Sequence, residues 1–255
     1  MLETNTGVPS GAPDLVWLVH RTDNEELRHS IRSVVQNAPG LYNKLWIAGE
    51  MPPWLRDIGH IPVNNPPEKF ASIRAKVTAL ANDARLADRV VIFNDDYFLM
   101  DSIASWDAYH MGPTSAYLRH LATQGKVETR NTWVRAVANT ARWMQSQGHG
   151  DILCYEGHVP LLFDRRKLAD VLAQYPTDQT CDYPGFYPVA GAAGVGKKGY
   201  NAKVADRGLG DLEQKLNSPD HSWLSSNDVS FAEGMVGGYI RGAFRTPSPY
   251  ERTIE

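Results

Sequence analysis

Arg89-Val-Val-Ile-Phe93, followed at once by Asn94-Asp95-Asp96, is the stretch that decides the fold of this chain. Four consecutive apolar residues, three of them β-branched, suit a strand buried on both faces. Such strands belong to parallel sheets covered by helices. The polar triplet ends the run abruptly and leaves two carboxylates at the strand's carboxyl end. In open α/β sheets, ligands gather beyond those ends. Neighbouring side chains alternate along extended backbone, so the two aspartates share a direction only if the chain turns. The turn is expected to begin at Asn94.

Working outward, the same alternation of elements recurs. Asp14-Leu-Val-Trp-Leu-Val-His20 is a second nearly continuous apolar run. Thr22-Asp-Asn-Glu25 then offers helix N-cap residues, with a capping box expected from Thr22 to Glu25. Leu27, Ile31, Val34 and Val35 fall at helical spacing, and Asn37-Ala-Pro-Gly40 ends that helix. Lys44 to Ala48 reads as a strand, and Pro52-Pro53 breaks the chain. Phe70, Ile73, Val77, Leu80 and Ala81 mark a second amphipathic helix. Strand, helix, strand, helix, strand predicts an α/β layer with a mostly parallel central sheet.

The second half is less regular. Helices are expected from Trp133 to Gln147 and from Arg165 to Tyr175. Between Pro176 and Pro219, Gly, Pro, Asp and Tyr dominate, and long functional loops are expected. No linker interrupts the chain. The expected organisation is a lead-in over 1–13 and one domain over 14–255, made of a ligand-binding half over 14–100 and a second half over 101–255.

Composition narrows the class. The 255 residues suffice for a sizeable core, and 42% hydrophobic with 22% charged is ordinary for a folded soluble protein. A net charge of −3 argues against a general polyanion binder. Two cysteines, Cys154 and Cys181, fit neither a disulfide framework nor a zinc motif, so a reducing, cytoplasmic setting is the simpler expectation. No apolar run reaches membrane-spanning length, and the first residues lack the pattern of a signal peptide.

Several groups are candidates for chemistry. Asp95 and Asp96 repel one another and lose hydration together; a divalent cation offsets both effects. Mg²⁺ or Mn²⁺ prefers carboxylate oxygens and bridges diphosphates, although Asp pairs also sit in solvated turns. His158, in Glu156-Gly-His-Val-Pro160, stands on a loop, where a histidine serves as base, phosphate contact or ligand, or is simply structural. Arg28 and Arg32 lie one helical turn apart and could meet phosphate, or form a solvated helix face.

Gly191-Ala-Ala-Gly-Val-Gly-Lys-Lys198 approaches a phosphate loop. Lys198 replaces the Ser or Thr that such a loop needs, so a phosphate-loop nucleotidase is excluded. Lys197 is kept as a diphosphate contact. The seven tryptophans are expected mostly in packing roles.

Read together, Glu26-Leu-Arg-His-Ser-Ile-Arg-Ser-Val34, Asn37-Ala-Pro39, Leu45-Trp-Ile47, Pro52-Pro-Trp-Leu55 and Val91-Ile-Phe-Asn-Asp-Asp-Tyr-Phe98 resemble the second conserved region of the Stealth family. Gly157-His-Val-Pro160 with the helix after it resembles the third region, and Asp228-Val-Ser-Phe-Ala232 the start of the fourth. The family moves sugar 1-phosphates from nucleotide sugars. The resemblance implies a single GT-A-like nucleotide-diphospho-sugar transferase domain. In it Asp95 and Asp96 would hold Mn²⁺ or Mg²⁺ and the donor diphosphate, His158 would be catalytic or phosphate-contacting, and Asp228 would be a second acidic site residue. Two positions depart from the pattern. Trp17-Leu-Val-His-Arg-Thr22 lacks the family's first Asp, and Leu224 stands where it places an Arg. The Ser248-Pro-Tyr-Glu251 tail looks like that of bacteriophage glycosyltransferases.

Three functions follow as expectations: glycosyl transfer from a nucleotide sugar, sugar-1-phosphate transfer, and carbohydrate or nucleic-acid binding without turnover. The acceptor could be a glycan, a protein or hydroxymethylated DNA. For DNA, the basic stretch is Arg119, Lys126, Arg130, Arg135 and Arg142, although a solvated helix face is the preferred reading and DNA ranks behind the other acceptors.

Overall fold

The structure is a computed structural model that describes residues 11–199, 201–218 and 222–252. Most of the expected lead-in, residues 1–10, lies outside the described residues. In chain order the elements are β1 (Asp14–Val19), α1 (Glu25–Asn37), β2 (Leu45–Gly49), β3 (Gly59–Ile61), α2 (Lys69–Asn82), β4 (Arg89–Asn94), β5 (Tyr97–Leu99), β6 (Tyr109–His110), α3 (Thr114–Thr123), α4 (Thr132–Ser146), β7 (Leu161–Asp164), α5 (Arg165–Gln174), α6 (Tyr187–Ala190), β8 (Lys197–Lys198), α7 (Leu209–Leu216), β9 (Trp223–Ser225), α8 (Asp228–Glu233) and α9 (Met235–Ala243). The central sheet runs β3-β2-β1-β4-β7, parallel except for β7. The protein is therefore α/β, with a mostly parallel sheet flanked by helices. The antiparallel edge strand β7 comes from the half of the chain that the sequence left least regular.

Side-chain alternation sorts the strand residues between two faces. Val16, Leu18, Val90, Ile92, Leu161 and Phe163 pack with α2, α4 and α5 on one side. Leu15, Trp17, Val19, Val91, Phe93 and Leu162 pack with α1 on the other. A third, smaller core around Phe98, Leu224, Phe231 and Ile240 joins β5 and β9 to α7, α8 and α9. Buried Asp14 anchors the start of β1, accepting from Asn43 Nδ2, Trp46 Nε1 and the Ala87 amide at 2.8, 3.1 and 2.9 Å.

Helix α1 carries a second pattern. Glu26, Ser30, Ser33 and Asn37 recur at helical spacing, and all four are buried. Ser30 Oγ donates to the Tyr97 carbonyl, Ser33 Oγ accepts from the Leu99 amide, and Asn37 donates to the Leu99 carbonyl. This polar stripe holds β5 alongside the helix, satisfying strand groups that no neighbouring strand reaches.

The expected capping box from Thr22 to Glu25 is not formed. Asn24 is the N-cap, its Oδ1 accepting from the Leu27 amide at 2.9 Å. The turn after β4 begins at Asp95 rather than Asn94, because Asn94 still pairs with Leu18 in the ladder. Between Pro176 and residue 218 the chain is mostly irregular, as expected, with α6, β8 and α7 interspersed. Lys197–Lys198 forms a short exposed strand, and among the described residues the next helix starts only at Leu209, so the phosphate-loop reading stays excluded.

Candidate active site

Strand order sets the position of the site. From β1 the chain steps one way to β2 and β3, then returns through α2 to β4 on the other side of β1. The carboxyl ends of β1 and β4 therefore diverge into a crevice, where α/β sheets bind ligands. A cleft of about 760 Å³ opens there, bordered by Leu18, His20, Asn94, Asp95, Asp96 and residues of α2, α8 and the segment before β9.

Asp95 and Asp96 form the tight turn between β4 and β5. Asn24, while capping α1 with its oxygen, donates its Nδ2 to Asp95 Oδ2. One residue thus starts the helix and orients the carboxylate. Asp96 Oδ2 accepts from Ser225 Oγ at 3.4 Å and lies 3.9 Å from Lys203 Nζ. Its Oδ1 is buried and has no hydrogen-bond partner among the described residues. An orphaned carboxylate oxygen has a high desolvation cost, and a cation would remove it. Burial raises both carboxyls above their ordinary range. Among the described residues, no three His, Cys, Asp or Glu side chains stand together at metal-holding spacing. Two carboxylates nonetheless fit Mg²⁺ or Mn²⁺, since such ions often take one or two carboxylates and complete their shell with substrate phosphate and water.

Glu26, at the head of the polar stripe, also lines the cleft and is only 5% exposed. Ser226 Oγ donates to its Oε1 at 2.6 Å. Burial, opposed by that bond and reinforced by Asp96, Asp95 and Asp228, pushes its carboxyl up to about 7. A raised carboxyl pKa means the folded state holds a proton that the unfolded chain releases. Stability is therefore expected to fall as pH rises from about 4.5 through about 7. Glu26→Gln should flatten that slope and be more stable than the parent at pH 8 by roughly 1–3 kcal/mol, with little difference at pH 4. Urea denaturation at the two pH values checks this; equal slopes would show that Glu26 is not held protonated.

Asp228 occupies the first turn of α8, behind the Asn227 cap, and lines the cleft mouth. Its carboxylate is 72% exposed and pairs with Arg21 at 3.3 Å. Lys69, Lys76 and Lys203 border the same cleft. Lys76 is buried and donates to Ser72 Oγ at 2.6 Å. Gly49 makes room for it, since a Cβ there would lie 2.6 Å from Lys76 Cε.

His158 sits at the turn before β7, with φ of +54°. Left-handed backbone is uncommon for a residue other than Gly or Asn and stores about 1–3 kcal/mol of strain. The side chain lines a smaller chamber that shares Lys69, Ile73 and Asn94 with the cleft. Burial, with Lys203, Lys69 and Lys215 nearby, pushes its imidazole down to about 3. It is therefore neutral at physiological pH, suited to hydrogen bonding and weak as a proton acceptor.

Three of the residues anticipated as phosphate contacts lie elsewhere. Arg32 makes a bidentate pair with Glu251, both contacts 2.7 Å, and Arg28 reaches the same carboxylate at 3.3 Å while stacking over Trp54. Their guanidinium groups fasten the tail to α1, while backbone hydrogen bonds around the Leu55–Glu251 bridge join it to Trp54–Arg56. A carboxylate partner supplied from 219 residues away could not be foreseen from local spacing. Lys197 lies on exposed β8 and pairs with Asp107 at 3.4 Å. Lys69, Lys76 and Lys203 take the positions beside the acid pair instead.

Glu251 is well buried and Arg32 nearly so. Burial alone would raise the Glu251 carboxyl, but Arg32, the Ser248 amide and Arg28 more than offset it and hold it below its ordinary value. Arg32→Ala is expected to cost about 3–5 kcal/mol, because it leaves a buried carboxylate without its bidentate partner. A lowered pKa means this contribution is present above the unfolded-state value and is lost as pH falls through the folded one. Denaturation at pH 7 and pH 3 tests both statements; a loss below 1 kcal/mol at pH 7 would contradict them.

Comparison with known proteins adds the following. No protein-family profile matches the chain, and no curated protein sequence matches it. Among solved structures, the chain is similar to the galactosyltransferase LgtC in complex with donor and acceptor sugar analogs, at 12% identity over 92% of this chain and 98% of that one, with a TM-score of 0.49. An active-site mutant of LgtC gives a TM-score of 0.46 at the same identity and coverage. The apo-form glycosyltransferase GlyE of Streptococcus pneumoniae TIGR4 gives 0.32 at 9% identity, over 92% of this chain and 51% of that one.

Proposed function

We propose that this chain is a glycosyltransferase that takes a sugar from a nucleotide-diphospho-sugar. The observation that carries the proposal is convergence. Glu26 and the Asp95–Asp96 pair come from two stretches, some sixty residues apart, that resemble the second Stealth region, and Asp228 from one that resembles the fourth, yet all border one cleft at the sheet's switch point. His158, from the third such segment, lines the chamber that adjoins it.

In this reading the donor diphosphate lies in the cleft against the acid pair, Lys69 and Lys203. Asp95 and Asp96 would hold Mg²⁺ or Mn²⁺, which would supply charge neutralisation to the departing nucleoside diphosphate. The lysines add fixed positive charge where negative charge develops. The acceptor hydroxyl oxygen bonds to the anomeric carbon as the carbon–oxygen bond to the diphosphate breaks, and the electron pair leaves with the nucleotide. The hydroxyl proton passes to a base, and Glu26, with a pKa near 7, is matched to that task at neutral pH. His158 serves as a neutral hydrogen-bonding group rather than as the base.

One observation favours a second reading, sugar-1-phosphate transfer. Leu224 is buried in the small core, but Arg21 reaches Asp228 from the end of β1. A guanidinium thus stands beside that aspartate from a different part of the chain, where it could hold a transferring phosphoryl group. Glycan and protein acceptors are preferred to hydroxymethylated DNA. Arg119, Lys126, Arg130, Arg135 and Arg142 are all exposed, and none borders the cleft.

Incubation with a panel of nucleotide sugars and Mn²⁺, followed by nucleotide analysis, tests the proposal. Release of nucleoside diphosphate is the expected result. Release of monophosphate would select the second reading. Donor binding without any turnover would make the chain a binding module.

A further inference from the structure

Beneath the cleft, the chamber lined by His158 encloses about 80 Å³. Its lining includes the rings of Tyr97, Trp133, Tyr155 and Tyr183 together with Glu156 and Asp182. Both carboxyls are buried, at 9% and 5% exposure. Trp133 Nε1 donates to Glu156 Oε2 at 2.9 Å, and the two carboxyls hydrogen-bond one another. Two acids cannot share a hydrogen bond unless one carries a proton, and burial raises both above their ordinary range. The acid pair is not itself the site. What points to a ligand is a recess lined by both carboxyls and four aromatic rings that shares Lys69, Ile73 and Asn94 with the proposed nucleotide cleft.

The chemistry of the recess is selective. A proton-sharing carboxyl pair keeps its proton between its two members and leaves its outer oxygens to accept, which matches the donating hydroxyls of a sugar ring. Aromatic walls pack against the ring's C–H faces. A sugar carboxylate would meet like charge in a poorly hydrated space. An N-acetyl substituent adds several heavy atoms to a chamber that admits little more than one edge of a ring.

We propose that the chamber receives one edge of the transferred sugar and selects a neutral hexose over uronic acids and N-acetylhexosamines, with Glu156 and Asp182 reading its hydroxyls. The inference rests on the donor-binding reading of the cleft and extends it to the class of sugar. Calorimetric titration with Mn²⁺ present tests the two separately. The probes are UDP, UDP-hexoses, UDP-N-acetylhexosamines and UDP-uronates, with parallel GDP and ADP series.

In the series whose free diphosphate binds, at least one hexose conjugate should bind ten-fold or more tighter than the uronate and N-acetyl conjugates. Asp182→Asn and Glu156→Gln should erase that advantage and leave affinity for the free diphosphate unchanged. Equal binding of uronate or N-acetyl conjugates by the parent would overturn the inference, whether or not the variants fold. Variants that fold and keep the hexose advantage would overturn it as well. Failure of every nucleoside diphosphate to bind would instead remove the reading of the cleft itself.

Discussion

Asp96→Asn is expected to fold normally and to lose metal-dependent donor turnover by roughly 10²–10³-fold, the usual effect of deleting one preorganised transition-state contact. The substitution keeps shape but replaces a carboxylate oxygen that no group among the described residues satisfies. An amide is a poor ligand for Mg²⁺ or Mn²⁺ and cannot neutralise it. The sign of the stability change is opposite. Burial and the neighbouring Asp95 raise the Asp96 carboxyl, so its charge destabilises the fold increasingly as pH rises above the ordinary carboxylate range. The Asn variant should therefore match or exceed the parent's melting temperature at pH 8 and converge with it near pH 4. Asp95→Asn should behave similarly, with the added loss of the carboxylate that Asn24 orients. Mn²⁺ titration, donor hydrolysis and thermal melts decide the matter. Full activity in both variants would sink the metal-site reading and most of the functional proposal.

His158→Asn is expected to lower turnover about 100-fold while changing stability little. Asn is the informative substitution because it tolerates left-handed backbone, so the strain at φ of +54° is not confounded with loss of the ring. The imidazole is neutral, so the loss should be nearly constant from pH 6 to pH 9 rather than following a histidine titration. A variant as active as the parent would reduce His158 to a turn residue. A loss that appears only at low pH would show that the ring is charged when the donor is bound.

Part of this site could be read directly and part could not. Asp95 and Asp96 were legible because a buried strand announces its own end, and parallel sheets place ligands there. His158 was legible as a loop histidine, but its strained backbone and neutral state arise from packing. Glu26 was hidden in an amphipathic helix, where the apolar stripe of Leu27, Ile31 and Val34 attracts attention. The signal that could have found it is the second stripe, Glu26-Ser30-Ser33-Asn37, since polar residues repeating beside an apolar face suggest a buried polar seam. Glu156 and Asp182 share a proton only because the fold joins a loop before β7 to one after α5.

The amino-acid sequence by itself determined the alternation of buried strands and amphipathic helices, hence an α/β sheet, and it placed two carboxylates at a strand end. Those features depend on local periodicity and on the short reach of side chains along one element. Tertiary structure decided which charges face the cleft and which are consumed elsewhere. Arg28 and Arg32 were committed to Glu251, while Lys69, Lys76 and Lys203 were brought beside the acids. The reason is that a long cationic side chain pairs with whichever anion the fold sets within its reach, and that partner can lie anywhere in the sequence.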